Sequence, residues 1–203
     1  MLYDEKLVAG KLGRWEKYLD NYRLPKWEDI PAFGLYMEQV IALLKQYLNY
    51  LPPELKEEQF ITASTINNYV RLKIMPEPQK KKYYRIHIAY LIMIFTLKQS
   101  LSIAMLQKLI PMGITEDEVQ ELYDAYVERH RASACCFIDQ VREGAALIVG
   151  HEIDHEPTIR NTVDLISTTA IVGGFARLLA EKLLLLEGHT LEDGDDITIV
   201  ERK

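Results

Sequence analysis

The alternation of apolar and polar residues along the chain predicts a series of amphipathic helices. Two of them are predicted before residue 51, and each has its apolar positions on one helix face. A linker with two prolines, residues 22–31, separates them, and its Trp27 is expected to pack on the core. The first helix runs through Leu7, Leu12, Trp15 and Leu19; the second covers residues 34–50 with Leu35, Val40, Leu43, Leu44 and Tyr47 on its apolar side.

A third helix is predicted after residue 61, and it has one apolar and one polar face. Either Thr62 or Ser64 can cap its N-terminus, because a side-chain oxygen there accepts a hydrogen bond from a free backbone N–H. The prolines of MPEP, residues 75–78, are expected to end it. The apolar face holds Ile66, Tyr69, Val70 and the alkyl stem of Lys73; the polar face holds Ser64, Asn67, Asn68 and Arg71 and has no carboxylate.

The next segments are predicted to be a basic loop and a buried helix. Residues 79–85, QKKKYYR, form a short loop or small wing. Residues 88–97 are uncharged and contain neither glycine nor proline, which is typical of a helix buried on most sides, and they are too few to span a bilayer. Ser102 then caps a short helix that ends before Pro111 and Gly113.

The C-terminal half is also predicted to be helical. Thr115 and Glu118 fit a capping box. The helix that follows would be about 50 Å long if it continued to near Val149, and packing within its own chain against the next helix is one way to cover it. A last helix from Pro157 and Thr158 to Gly188 contains Gly173 and Gly174, which permit close approach of another helix. The tail, residues 191–203, favours a turn and allows a short strand.

Charge is distributed unevenly along the 203 residues. The segment 62–110 has eight basic residues and one acid, Glu77, so its net charge is +7, whereas the whole chain carries −6 and the remainder therefore −13. This polarity indicates a basic surface for a polyanion on an otherwise acidic protein. The hydrophobic content of 48% allows a sizeable core in one domain or two small ones. Residues 1–20 have no apolar run, so no signal peptide is expected.

The polar face of the third helix has side chains suited to DNA recognition. Asparagine can bind an adenine edge through two hydrogen bonds, and arginine can do the same with guanine. The lysines of the following loop can contact phosphates, and its tyrosines can pack or contact the backbone. The alternative left open by these residues is a helical bundle whose polar face and lysine run are simply solvated.

The order of these elements resembles the DNA-binding domain of MerR-type regulators. TASTINNYVRLKIMPEP stands where the recognition helix lies, KKYYRIHIAYL where the wing and next helix begin, and SIAMLQKLI where the following helix lies. These segments, with LPKWEDIP and LYMEQVIALL before them, make residues 15–110 similar to a bacterial family. That family is catalogued as a domain of unknown function with a MerR-like helix-turn-helix. It departs from the MerR pattern in the long proline-containing link, residues 50–61, and in a wing without glycines or an arginine pair.

The resemblance implies an all-α cytoplasmic protein with a MerR-like winged helix-turn-helix followed by a long helix and a helical C-terminal region. Residues 1–112 would hold the N-terminal helices and the DNA-binding domain, with its core at 60–112, and residues 113–203 the dimerisation or sensing region. The expected function is sequence-specific binding of double-stranded DNA as a homodimeric transcriptional regulator, with no membrane association, cofactor or metal and an effector that the sequence does not identify. The alternative is a helical protein-interaction adaptor with the same fold. The predicted DNA-binding residues are Ser64, Asn67, Asn68 and Arg71 toward bases, and Lys73, Lys80, Lys81, Lys82, Tyr84 and Arg85 toward the backbone.

Two sequence features are typical of enzymes or sensors. Residues 151–155 match H-E-x-x-H, which can place two histidines on zinc and a glutamate as base. However, Pro157 ends any helix there and no third ligand is well placed, so a polar helix junction is expected, with metal binding and a metal-dependent hydrolase as the alternatives. Cys135 and Cys136 are adjacent and cannot pair without strain. They are expected to be small buried residues at a helix contact, with metal or redox sensing as the alternative.

Overall fold

The computed structural model describes residues 5–49 and 61–145, together with single positions between 162 and 177. Over these residues the chain is helical and has no strand, which confirms the all-α prediction for them. A 3-10 turn over Trp27–Asp29 follows the first helix, and Trp27 is buried as predicted. The helices are α1 (Glu5–Asn21), α2 (Met37–Tyr47), α3 (Ala63–Arg71), α4 (Arg85–Leu97), α5 (Ile103–Leu109) and α6 (Glu116–Gly144).

Helix α4 lies at the centre of the core. Every residue from His87 to Phe95 is buried, as the uncharged sequence of this helix predicted. Helices α2 and α6 both pack on α4, and they add Leu44 and Tyr123 to the same cluster of buried side chains. Each fully buried leucine, isoleucine or phenylalanine contributes about 1.5–3 kcal/mol to stability. Helix α4 is therefore a rigid base for the helices around it.

Helix α6 packs within its own chain along most of its length. Near its N-terminus, the Tyr123 hydroxyl donates to the carbonyl of Pro25 at 2.8 Å, and its ring lies 6.2 Å from the ring of Trp27. Farther along, two arginines of α6 form ion pairs with α1, Arg131 with Asp20 at 3.3 Å and Arg142 with Glu16 at 2.7 Å. The core thus continues past residue 113 into α6, and the domain boundary at residue 112 stays a prediction.

The predicted capping box opens α6. The Thr115 hydroxyl accepts a hydrogen bond from the Glu118 N–H, and the Glu118 carboxylate accepts one from the Thr115 N–H. The Thr115 N–H and the Thr115 hydroxyl both donate to the Glu118 carboxylate, and they hold the pKa of this carboxyl below its usual value. The described helix has 29 residues, which is about 43 Å at 1.5 Å per residue. The predicted continuation to Val149 lies outside the described residues.

Three predictions about helix positions and burial were wrong. Helix α2 begins at Met37, and Leu35 lies before it in a β-bridge with Tyr83. The backbone of Leu35 is extended there because its N–H and C=O both bond to Tyr83. Cys135 is half-buried and Cys136 is exposed, so neither is the buried residue that was predicted.

Several predictions concern segments outside the described residues. They are the link at 50–60, the H-E-x-x-H match at 151–155, the start of the last helix at Pro157 and Thr158, Gly174 and the tail at 191–203. Among the residues that are described, no helix is long and apolar enough to cross a membrane. The same residues contain no group of three or more histidine, cysteine, aspartate or glutamate side chains arranged to hold a metal ion.

Candidate nucleic-acid interface

The polar face of α3, formed by Ser64, Asn67, Asn68 and Arg71, lies on the surface as predicted. Asn68 is half-buried and the other three are exposed. An Nη atom of Arg71 donates to Oδ1 of Asn68 at 2.7 Å, so these two side chains orient each other. The four residues and Thr65 line a shallow depression of about 500 Å³. The structure therefore brings the four predicted base-reading residues together on one surface.

The opposite face of α3 fixes the helix to the core. Ile66 and Tyr69 are buried, and the Tyr69 ring meets Phe95 of α4 edge-on, with ring centroids 5.4 Å apart. Burial raises the pKa of the Tyr69 hydroxyl to about 12. Thr62 is the N-cap and accepts a hydrogen bond from the Thr65 N–H, which decides between the two predicted caps.

Helix α3 ends by a Schellman motif and not at the prolines, contrary to prediction. The Ile74 N–H donates to the Tyr69 carbonyl and the Lys73 N–H to the Val70 carbonyl, which is the bonding pattern of that motif. Lys73 takes the left-handed conformation with φ +54°, where glycine is usual. Lys73 is exposed and lies past the end of α3, so the prediction that its stem joins the apolar face was wrong.

The predicted basic loop contains a tight two-residue hairpin, Gln79–Lys82, called here the lysine turn. The N–H of each end residue donates to the carbonyl of the other, at 3.0 and 2.9 Å. Lys80 and Lys81 occupy the two central positions with φ of +49° and +64°, the conformation in which Asn-Gly is the common pair. Both lysines are exposed, so their ammonium groups are presented to solvent at the tip of the hairpin.

His87 fastens this loop to the start of α4. The Tyr84 N–H donates to its Nδ1 at 2.9 Å, and its Nε2 lies 3.0 Å from the carbonyl of Glu77. Because Nδ1 accepts the hydrogen bond from the Tyr84 N–H, the ring hydrogen is on Nε2, which donates a hydrogen bond to the Glu77 carbonyl. The histidine is 1% exposed. This buried side chain therefore joins the residues on both sides of the lysine turn to the core.

The remaining residues predicted to contact the DNA backbone are Lys82, Tyr84 and Arg85, and they lie in different environments. Arg85 turns away from the lysine turn: its Nε donates to the carbonyl of Ile30 at 2.8 Å, and its guanidinium lies 5.7 Å from the ring centre of Trp27. Tyr84 is the N-cap of α4 and is half-buried. Lys82 is half-buried, with its Nζ 5.4 Å from the ring centre of Tyr36. Arg85 has a structural role in this arrangement and does not join the other cations.

Sequence reasoning missed two aromatic residues next to the lysine turn. Phe33 and Tyr36 are both exposed, and both belong to the loop that pairs with Tyr83 through Leu35. Their only sequence signal was a pair of aromatic residues around Gly34 before an amphipathic helix. Thr65 was also missed, although it lines the depression beside the predicted residues.

Comparison with known proteins gives one match, to a family described as a domain of unknown function, DUF1836, over residues 25–126. The match covers half of the chain. This protein belongs to the DUF1836 family. No curated protein and no solved structure matches it.

The DUF1836 match includes both parts of the candidate interface. It begins before Trp27 and ends in the first part of α6, so α3, the lysine turn and the aromatic residues next to it all lie inside it. Helix α1 and the two cysteines lie outside the matched residues. The prediction of membership in a family of unknown function is thus confirmed, and the MerR-like DNA-binding domain stays a prediction.

Proposed function

We propose that this DUF1836 protein is a sequence-specific DNA-binding transcriptional regulator with a MerR-like winged helix-turn-helix. Helices α2 and α3 would supply the helix-turn-helix, with α3 in the major groove, and the lysine turn would be the wing. Ser64, Asn67, Asn68 and Arg71 would contact base edges. Asparagine and arginine form the bidentate contacts that distinguish adenine and guanine, and each good contact is worth about 1–3 kcal/mol of discrimination.

The observation that carries the proposal is the placement of lysines at backbone positions that disfavour them. Among the residues that the structure describes, the only non-glycine residues with positive φ are Lys73, Lys80 and Lys81. A left-handed conformation costs a residue with a side chain about 1–2 kcal/mol relative to glycine. Backbone strain of this kind occurs most often at functional sites. Each of the three positions carries an exposed cation, and a phosphate backbone is a partner that would bind cations placed in this way.

The depression on α3 supports the same function. An adaptor surface would be expected to have aromatic or aliphatic anchors at its centre, since the buried centre of protein interfaces is depleted in charged residues. The α3 surface instead has two amides, two hydroxyls and a guanidinium without a carboxylate. These groups suit hydrogen bonding to base edges. A protein-interaction adaptor with this fold is the competing proposal.

Salt dependence distinguishes the two proposals. We expect the wild-type protein to bind a DNA site selected from a random-sequence pool, with a slope of about −4 to −5 in log affinity against log salt for four to six phosphate contacts. The double variant Lys80→Asn/Lys81→Gly removes two charges and keeps the hairpin conformation. It should flatten the slope by about 2. Fluorescence anisotropy over a salt series measures both slopes.

The matched control removes two charges elsewhere. Arg14 and Lys17 are exposed on α1, outside the proposed helix-turn-helix, and Arg14→Ala/Lys17→Ala should leave the slope unchanged. Asn67→Ala/Asn68→Ala should reduce discrimination between the selected site and scrambled DNA and keep the slope. If the wild type shows no saturable binding at low salt, DNA is the wrong ligand and the adaptor proposal replaces it.

We also propose that the protein binds as a homodimer on a site with two half-sites, with the region after residue 112 providing the contact between subunits. MerR-like regulators use the long helix after the DNA-binding domain in this way; α6 packs on α1 and α4 within its own chain, so its exposed side would supply the contact. Its first part packs on α4, so a movement of α6 would reach the core below α3. Light scattering of the free protein and of its DNA complex gives the number of subunits in each.

A further inference from the structure

The loop Phe33–Tyr36, called here the aromatic loop, is joined to the lysine turn as one rigid unit. The Leu35 N–H donates to the Tyr83 carbonyl and the Tyr83 N–H to the Leu35 carbonyl, both at 2.8 Å. Leu35 and Tyr83 are themselves buried, so the joint is anchored in the core. The aromatic loop and the lysine turn are therefore held in a fixed arrangement.

Close packing at Gly34 shows how tightly the two segments fit. A β-carbon placed on Gly34 would lie 2.9 Å from Cβ of Lys82 and 3.0 Å from the ring of Tyr84. Only glycine leaves room for these neighbours. The contact positions Lys82 beside the loop, where its ammonium group lies over the Tyr36 ring.

Two large aromatic side chains project from this unit into solvent. Phe33 is 68% exposed, more than any other large hydrophobic residue in the described part of the chain, and Tyr36 is 58% exposed. An exposed phenylalanine ring does not contribute buried area to the core, and it leaves apolar surface in contact with water. Its presence beside three lysines marks a surface that becomes covered by a partner.

We propose that the aromatic loop is a second DNA-contacting element, in which Phe33 inserts its ring into the minor groove while Tyr36 and the lysine turn hold the flanking phosphates. This inference rests on the proposed function. Proteins that bind the minor groove combine cations with an apolar wedge that partly unstacks one base step and bends the duplex. The surface has both components, and residues 79–85 and 33–36 contain no acid to repel phosphates.

The composition of the surface favours DNA over a protein partner. Aromatic residues are enriched in both kinds of interface, but lysine is depleted in interfaces between proteins. Here Lys82 lies over the Tyr36 ring, and Lys80 and Lys81 precede it in the lysine turn at left-handed positions. A surface of this charge suits a polyanion.

The test compares Phe33→Ala with the wild type on the selected DNA site. The change removes no charge, so the salt slope should stay the same while affinity falls about tenfold, the scale of one lost ring-to-base contact. Bending of the DNA, measured by energy transfer between dyes at its two ends, should decrease. A 2-aminopurine placed at the wedged step should lose the fluorescence increase that wild-type protein causes. Because Phe33 is exposed, the variant is expected to fold, and circular dichroism checks this.

Two variants complete the design. Met112→Ala trims another exposed hydrophobic residue, 40% exposed at a site away from the loop in sequence, and should bind and bend DNA like the wild type. Phe33→Trp keeps a wedge and should retain bending. If the wild type binds DNA and Phe33→Ala binds and bends it equally well, the wedge is overturned and the proposed function stands. If the wild type binds no DNA, both are overturned.

Discussion

Individual lysines give this protein its most informative backbone feature. Lys73 ends α3 and Lys80 and Lys81 form the hairpin tip, and all three have positive φ. Glycine at the first position and Asn-Gly at the other two would fit the backbone better. At each of these three positions lysine adds a positive charge but lowers conformational stability. Substitution can separate the two effects.

Lys73 allows the clearest separation. Lys73→Gly and Lys73→Ala both remove the charge, but only glycine relieves the left-handed conformation, so the glycine variant should be more stable than the alanine variant by about 1 kcal/mol. Both should bind the selected DNA more weakly than the wild type and to the same extent. Urea denaturation gives the difference in the free energy of unfolding. Equal stability of the two variants would contradict the strain at this position.

At the scale of the element, α3 is held by its cap and by its buried face, and its polar face is left for a ligand. Ile66 and Tyr69 are buried and Thr62 caps the first turn. At the other end, the side chain of Gln107 in α5 donates to the carbonyl of Leu72 at 2.9 Å. Both ends of α3 are therefore fixed independently of the residues that face solvent.

A pair of hydroxyl deletions tests this assignment. Thr62→Ala should lower the free energy of unfolding by about 1 kcal/mol, because the Thr65 N–H loses its acceptor. Ser64 lies two residues after Thr62, on the exposed face. Ser64→Ala should change the free energy of unfolding little and should reduce discrimination between DNA sites. Thermal unfolding measures the first effect and anisotropy the second. The opposite ranking in stability would show that Ser64 is the cap.

The whole molecule joins an acidic N-terminal and C-terminal part to a basic central part. Helix α1 lies outside the DUF1836 match, and the ion pairs of Glu16 and Asp20 attach it to the part of α6 that lies beyond the match. The contact between α1 and α6 also includes His130, whose ring lies 6.2 Å from that of Tyr22, the residue after α1, and 6.4 Å from that of Tyr126. Burial lowers the pKa of the His130 imidazole.

The lowered pKa of His130 predicts a pH dependence of stability. In the unfolded chain the imidazole takes up a proton below about pH 6.5, whereas in the folded protein it does so only at lower pH. The unfolded state therefore binds more protons in this interval, and stability falls as the pH decreases through it. His130→Phe should flatten this part of the profile in urea denaturation at a series of pH values. Lys45→Ala serves as the control and should leave the pH profile of stability unchanged. His87→Phe is unsuitable as a control because it would disturb the core.

The sequence by itself determined the helical fold and most of the candidate interface. Uncharged residues 88–97 could form only a buried helix, and the spacing of Ser64, Asn67, Asn68 and Arg71 placed them on one face whatever the surrounding structure. Local capping at Ser102 and Thr115 was likewise readable, because a cap depends on residues only three positions apart.

The tertiary structure decided what depends on distant contacts. The Arg85 guanidinium was predicted to face DNA, but it bonds to Ile30, which is 55 positions away. The same holds for the aromatic loop, since the pairing of Leu35 with Tyr83 brings Phe33 and Tyr36 to the lysine turn. The left-handed lysines were also hidden, because no pattern of residue types predicts a positive φ where glycine and asparagine are absent. Local periodicity fixes which residues share a face, and only packing fixes which faces meet.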